Sequence, residues 1–130
     1  MEDCIFCKIV KGELPSHKVY EDNKFMAFLD IYPKSKGHTL IIPKKHFRWV
    51  HDVEPFGEYW QVARKIARAQ EKGLSAKWTQ YFTHGLIPHA HIHMKPRYED
   101  VQGASMLPDE HLSFSKEEFE VIAAKIRKAF

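Results

Sequence analysis

The run His89-Ala90-His91-Ile92-His93 constrains this chain more than any other stretch. Imidazole and apolar side chains alternate with a period of two, which is the period of an extended strand. The three rings therefore share one face, and Ala90, Ile92 and Met94 point into a core on the other. Histidine is seldom core filler, so three rings in line are hard to explain as packing alone. Two chemistries use such a row. One is metal binding by neutral imidazole. The other is covalent catalysis on phosphorus. A free imidazole, with a pKa of about 6.5, is mostly neutral at pH 7 and is then a good nucleophile. A neighbouring ring can fix the tautomer, donate to phosphate oxygens or protonate a leaving group.

The rest of the chain reads as a frame for that strand. Lys11 to Pro15 is a turn, Val19 to Glu21 a short strand, and Phe25 to Leu29 an apolar run of strand length. Tyr32 to Gly37 is a loop dense in breakers, and Thr39 to Ile42 is a buried strand stopped by Pro43. From Pro55 to about Lys72, Phe56, Tyr59, Trp60, Ala63, Ile66 and Ala67 recur at helical spacing, with Gly73 as a stop. Trp78 to Thr83 and Ala90 to Met94 are β-prone. Ser115 to Glu118 forms a capping box that opens a last helix with Phe119, Ile122, Ala123 and Ile126 on one side. The sum is an α+β fold: a mostly antiparallel sheet with a central helix and a C-terminal helix. One domain over 1–130 is expected, with its core in 4–97 and a helix-bearing extension in 98–130.

Composition narrows the partners. The net charge of +3 suits an anionic small molecule and is too diffuse to indicate nucleic-acid binding. No run approaches the ~18 apolar residues of a membrane helix, and Met1-Glu2-Asp3 does not open a signal peptide, so a cytoplasmic location is expected. Cys4 and Cys7 are spaced C-x-x-C, which in a reducing compartment suggests metal or redox chemistry rather than a structural disulfide.

Three segments carry a resemblance to a known family: C-I-F-C-K-I-V-K-G-E-L-P, then A-F-L-D-I-Y-P-K-S-K-G-H-T-L-I-I-P-K-K-H, then P-H-A-H-I-H-M-K-P-R. Together, in this order, they resemble the histidine-triad (HIT) family of nucleotide hydrolases and transferases. The resemblance implies that His91 is the nucleophile at the α-phosphate, that the carbonyl of His89 holds its other ring nitrogen, and that His93 contacts phosphate and assists the leaving group. It places Asp30 at the ribose hydroxyls and Phe6, Phe28 and Ile31 around the base. As residues alone, these last three read equally well as core. It also implies a structural zinc held by Cys4, Cys7, His46 and His89, no organic cofactor, and a homodimer built on the central helix and a neighbouring strand.

One segment departs from the family pattern. Many members carry a Gly-rich loop with a Gln and a Ser or Thr just before the triad, and those side chains bind phosphate. Here Thr83-His84-Gly85-Leu86-Ile87-Pro88 is short and lacks that pair. Phosphate contacts are expected from backbone amides near Gly85, or from Thr83 or His84. His38 is expected to be structural. The leading reading is a hydrolase or nucleotidyl transferase acting on a nucleoside phosphoramidate or dinucleoside polyphosphate, with a purine nucleotide as ligand. The competing readings are a nucleotide-binding or signalling module with little turnover, and a metallohydrolase using the row as catalytic ligands. The latter architecture calls for a barrel of ~250 residues.

Overall fold

The computed structural model describes residues 3–98 and 111–130. Residues 99–110 of the expected C-terminal extension lie outside the described residues. A short helix α1 (Ile5–Val10) leads into strands β1 (Lys18–Glu21), β2 (Phe25–Leu29) and β3 (Thr39–Pro43). A single 3₁₀ turn at Val50–Asp52 precedes helix α2 (Phe56–Leu74), then β4 (Trp78–Phe82), β5 (Ile92–Arg97) and helix α3 (Lys116–Arg127). The sheet order is β1-β2-β3-β5-β4, and every neighbouring pair is antiparallel. This is the α+β architecture expected from the pattern.

Each face of the sheet has its own core. Phe25, Ala27, Leu29, Ile41, Ile92 and Met94 pack with Tyr59, Val62, Ile66, Phe119, Ile122 and Ile126 of α2 and α3. Alternate residues of the same strands turn the other way: Met26, Phe28, Leu40 and Ile42 meet Cys4 and Phe6 of the N-terminal segment. Because β2 and β3 are covered on both sides, they are buried at every position. That explains why they read as continuous apolar runs rather than as alternating ones. Buried Gln70 of α2 clamps the helix onto the sheet, donating to the carbonyls of Gly37 and Met94 and accepting from Thr79.

Three elements differ from the sequence reading. Helix α2 runs past the expected stop at Gly73 to Leu74 and ends on Ser75 in the left-handed region; Gly73 instead lets α3 come close, since a β-carbon there would approach the Lys125 carbonyl to 2.4 Å. Helix α1 falls where no helix was expected; Cys4 is its N-cap, with Sγ accepting the Cys7 amide at 3.2 Å. A sulfur cap is outside the usual Ser, Thr, Asp and Asn signature, which is why pattern alone misses it. The strand expected at Ala90–Met94 runs instead from Ile92 to Arg97. The register pairs Ile41 with Ile92, so Pro43 falls opposite Ala90 and has no N–H to extend the ladder. His89 to His91 is held by other groups: Ala90 N–H donates to the Phe47 carbonyl at 2.7 Å, and the Thr83 hydroxyl donates to the His91 carbonyl at 2.6 Å.

Candidate active site

The alternation of the histidine run survives in three dimensions. Ala90, Ile92 and Met94 enter the helix-side core, while His89, His91 and His93 are buried on the opposite face. The sheet register sets Phe28, Leu40, His93 and Phe82 side by side across β2, β3, β5 and β4. His93 stacks on Phe82 with centroids 4.3 Å apart and planes 7° apart. A cavity of about 1120 Å³ opens over this row, lined by Phe6, Phe28, Asp30 and Ile31 together with His84, His91 and His93. Lys116 and Glu120 of α3 reach its rim.

Backbone groups decide where each ring keeps its proton. His91 Nδ1 lies 2.8 Å from the His89 carbonyl, which only an N–H can approach, so Nε2 keeps its lone pair. That Nε2 is buried and has no hydrogen-bond partner among the described residues. His89 Nε2 donates to the Pro43 carbonyl at 2.8 Å, leaving Nδ1 as a bare lone pair. It faces Cys4 Sγ at 3.2 Å and Cys7 Sγ at 3.5 Å, and His46 Nδ1 lies 3.3 Å from Cys7 Sγ. A tetrahedron with Zn–S of about 2.3 Å and Zn–N of about 2.0–2.1 Å has S···N edges of roughly 3.5 Å. The four ligand atoms lie within 4.8 Å of one another and fit a zinc ion.

On the other side of His91 the rings form a chain. Lys34 N–H donates to His38 Nδ1 at 3.0 Å, and His38 Nε2 lies 2.9 Å from His93 Nδ1. Asp30 Oδ2 stands 3.8 Å from His38 Nε2, and Asp30 Oδ1 accepts the Tyr32 amide. Burial lowers the His38 pKa to about 4 against the upward pull of the Asp30 carboxylate. Burial, and then the neighbouring rings, lower His93 to about 2. Burial also pulls His91 below its ordinary value, with the bond to the His89 carbonyl acting against it. These rings are held neutral.

Of the residues singled out in the sequence, Phe6, Phe28, Asp30, Ile31, His91 and His93 line one cavity. Phe6 sits edge-on to His91 with centroids 5.3 Å apart. Gly85 does not line the cavity; its α-carbon lies against the Trp49 ring, where a β-carbon would approach to 2.4 Å. His38 is the residue the sequence reading undervalued. Its position two residues before Leu40 puts it on the same face as His93's cross-strand neighbour, a period-two signal present in the sequence. His84, from the short loop after β4, brings Nε2 to 3.2 Å from His93 Nε2 and its ring centroid to 4.8 Å from that of His91.

Comparison with known proteins decides the family. The HIT domain model matches residues 11–100. The chain belongs to the HIT family. Protein hit of Bacillus subtilis is 38% identical over 98% of this chain and 94% of its own length. The adenosine 5′-monophosphoramidase of Saccharomyces cerevisiae is 36% identical over 77% of this chain and 66% of its own. Among solved structures, a HIT-like protein from Bartonella henselae matches with a TM-score of 0.88 and 33% identity, covering 100% of this chain and 98% of that one. A zinc-bound histidine triad protein from Mycobacterium smegmatis matches with a TM-score of 0.79 and 30% identity, covering 98% and 95%. In this HIT protein the Cys4, Cys7, His46 and His89 cluster is compatible with zinc. No helix among the described residues is long and apolar enough to cross a membrane.

Proposed function

We propose that this protein hydrolyses a nucleoside phosphoramidate at its α-phosphate through a nucleotidyl intermediate on His91. The observation that carries this reading is the buried, unpartnered lone pair of His91 Nε2 in the wall of the cavity. A nitrogen desolvated, turned by the His89 carbonyl and paired with nothing is a nucleophile prepared in advance. Attack forms the Nε2–P bond and breaks the P–N bond of the substrate; the amine departs with a proton drawn from water at the open mouth. The hydroxide left by that water then attacks phosphorus, the Nε2–P electron pair returns to the ring, and the nucleoside monophosphate leaves. The His89 carbonyl keeps hold of Nδ1–H throughout and stabilises the positive charge that develops on the ring. His93, neutral because it is buried, donates a hydrogen bond to phosphoryl oxygen rather than surrendering a proton. Asp30 accepts from ribose hydroxyls, and Phe6, Phe28 and Ile31 flank the base. The yeast relative's name as an adenosine 5′-monophosphoramidase supports the substrate class.

Zinc held by Cys4, Cys7, His46 and His89 would serve as a structural cross-link. Its effect on the chemistry is indirect, since it fixes the residue whose carbonyl aims the nucleophile. A homodimer through α2 and β4 accompanies this reading, with Phe56 and Tyr81 exposed on those elements and β4 at the sheet edge. The absence of the family's polar loop pair favours a second reading, a binding module with little turnover. Turnover of adenosine 5′-phosphoramidate by wild type and His91→Ala separates the two. Release of AMP by wild type, reduced by several orders of magnitude in the variant, is expected. AMP binding without product by wild type favours the module, and equal turnover by both proteins sinks the mechanism.

A further inference from the structure

The rings beside His91 hold one N–H more than the described residues pair. Lys34 N–H donates to His38 Nδ1, so the neutral His38 ring carries its proton on Nε2 and donates to His93 Nδ1 at 2.9 Å. The His93 proton is thereby placed on Nε2, which faces His84 Nε2 at 3.2 Å. At the far end Leu86 N–H donates to His84 Nδ1, also at 3.2 Å, and this places the His84 proton on Nε2 as well. Each neutral imidazole has one donor and one acceptor. Three rings capped at both ends by amide donors must therefore contain two N–H groups pointing at each other. His38 is buried and His93 is clamped on Phe82, so the mismatch surfaces at His84, beside the bare His91 Nε2.

Two converging N–H groups next to a nucleophilic lone pair call for one acceptor. We propose that His84 is the phosphate-binding residue of this protein, its Nε2–H and that of His93 forming a two-donor clamp on a non-bridging oxygen of the phosphoryl group that His91 faces. An anionic oxygen accepts from both donors and settles the proton count of the whole row. The nitrogens of His84, His91 and His93 also lie within the spacing of a metal site. A cation there has to displace the protons that the Lys34 and Leu86 amides direct onto two of those nitrogens, whereas an anion uses them. The other side-chain candidate of the loop is already engaged, because the Thr83 hydroxyl donates to the His91 carbonyl. His84 thus supplies from one ring what the short loop lacks in polar side chains.

The proposal rests on the nucleotide reading of the site, and the test keeps the two apart. Calorimetric binding of AMP and of adenosine is measured for wild type, His84→Ala and His84→Gln. His84 is exposed on a loop, so its replacement leaves the core untouched. His84→Ala is expected to weaken AMP by roughly 10- to 100-fold, the worth of a charge-assisted hydrogen bond, and to leave adenosine unchanged. His84→Gln, whose amide can donate, is expected to recover part of the AMP affinity. Equal weakening of AMP and adenosine, or no weakening of AMP, overturns the clamp while nucleotide binding by wild type stands. Failure of wild type to bind AMP at all removes the nucleotide reading, and the clamp with it.

Discussion

Histidines on the two sides of His91 are oriented by backbone groups of opposite kind, a carbonyl on one side and amides on the other. On one side His89 gives its Nε2–H to the Pro43 carbonyl and turns a lone pair toward Cys4 and Cys7. On the other side His38 and His84 receive amide N–H groups from Lys34 and Leu86 and turn N–H donors outward, His38 through His93. A carbonyl at one ring nitrogen makes the other a ligand for a cation; an amide makes the other a donor to an anion. His91 follows the first pattern, with its Nδ1 held by the His89 carbonyl, and it lines the cavity; under the proposed function its free lone pair is the nucleophile. Among these rings, one backbone contact apiece decides which nitrogen carries the proton and which the lone pair.

The largest expected effect comes from breaking the cation side. Cys4→Ala removes a sulfur ligand and the α1 cap together, and stability is expected to fall on the order of 5 kcal/mol, with zinc content dropping to background. Mass spectrometry of the intact protein with urea unfolding measures both; a zinc-free wild type of unchanged stability on Cys4→Ala would show that the cluster is no metal site. Next comes the anion side. His38→Leu leaves His93 without the ring that places its proton, and kcat is expected to fall about 10- to 100-fold while zinc content holds. Zinc lost from His38→Leu would mean that the two clusters are not independent.

Acid sharpens the contrast further. His38 and His93 have folded-state pKa values of about 4 and about 2, below the unfolded value. The unfolded chain therefore takes up protons that the folded chain refuses. Their contribution is full above about pH 6.5 and declines as pH falls below it, by up to about 2 kcal/mol per ring at pH 5. Urea midpoints from pH 7.5 to 5 should show a steeper decline for wild type than for His38→Leu; parallel curves would mean that these rings do not carry the effect. The smallest effect belongs to Thr83→Val, which removes the hydroxyl at the His91 carbonyl. A loss of about 1 kcal/mol in stability with unchanged AMP affinity is expected, and weaker AMP binding would place Thr83 on the phosphate instead.

Most of the sheet was legible because β2 and β3 stand out as continuous apolar runs and the histidine strand announces its faces by its period of two. Helix α2 was legible from its spacing, though not its end at Ser75, and the Ser115–Glu118 capping box was legible because its signals are local. Helix α1 was not, because its cap is a cysteine thiol that also faces a histidine 85 positions away. Nor was the boundary at Ile92, which depends on which residue of β5 falls opposite Pro43.

The sequence by itself determined which residues share a face, and so that three imidazoles would line up, that Cys4 and Cys7 would come as a pair, and which family pattern they join. It also showed that the usual polar loop residues are missing. What each histidine does was decided only in the tertiary structure. An imidazole offers two nearly equal tautomers, and the choice between them is made by a carbonyl or an amide brought from elsewhere in the chain: Pro43 for His89, Lys34 for His38. Even where the directing group is near in sequence, as Leu86 is to His84, a folded loop has to aim it. Those contacts fix proton positions that no residue type encodes, and the proton positions set the chemistry.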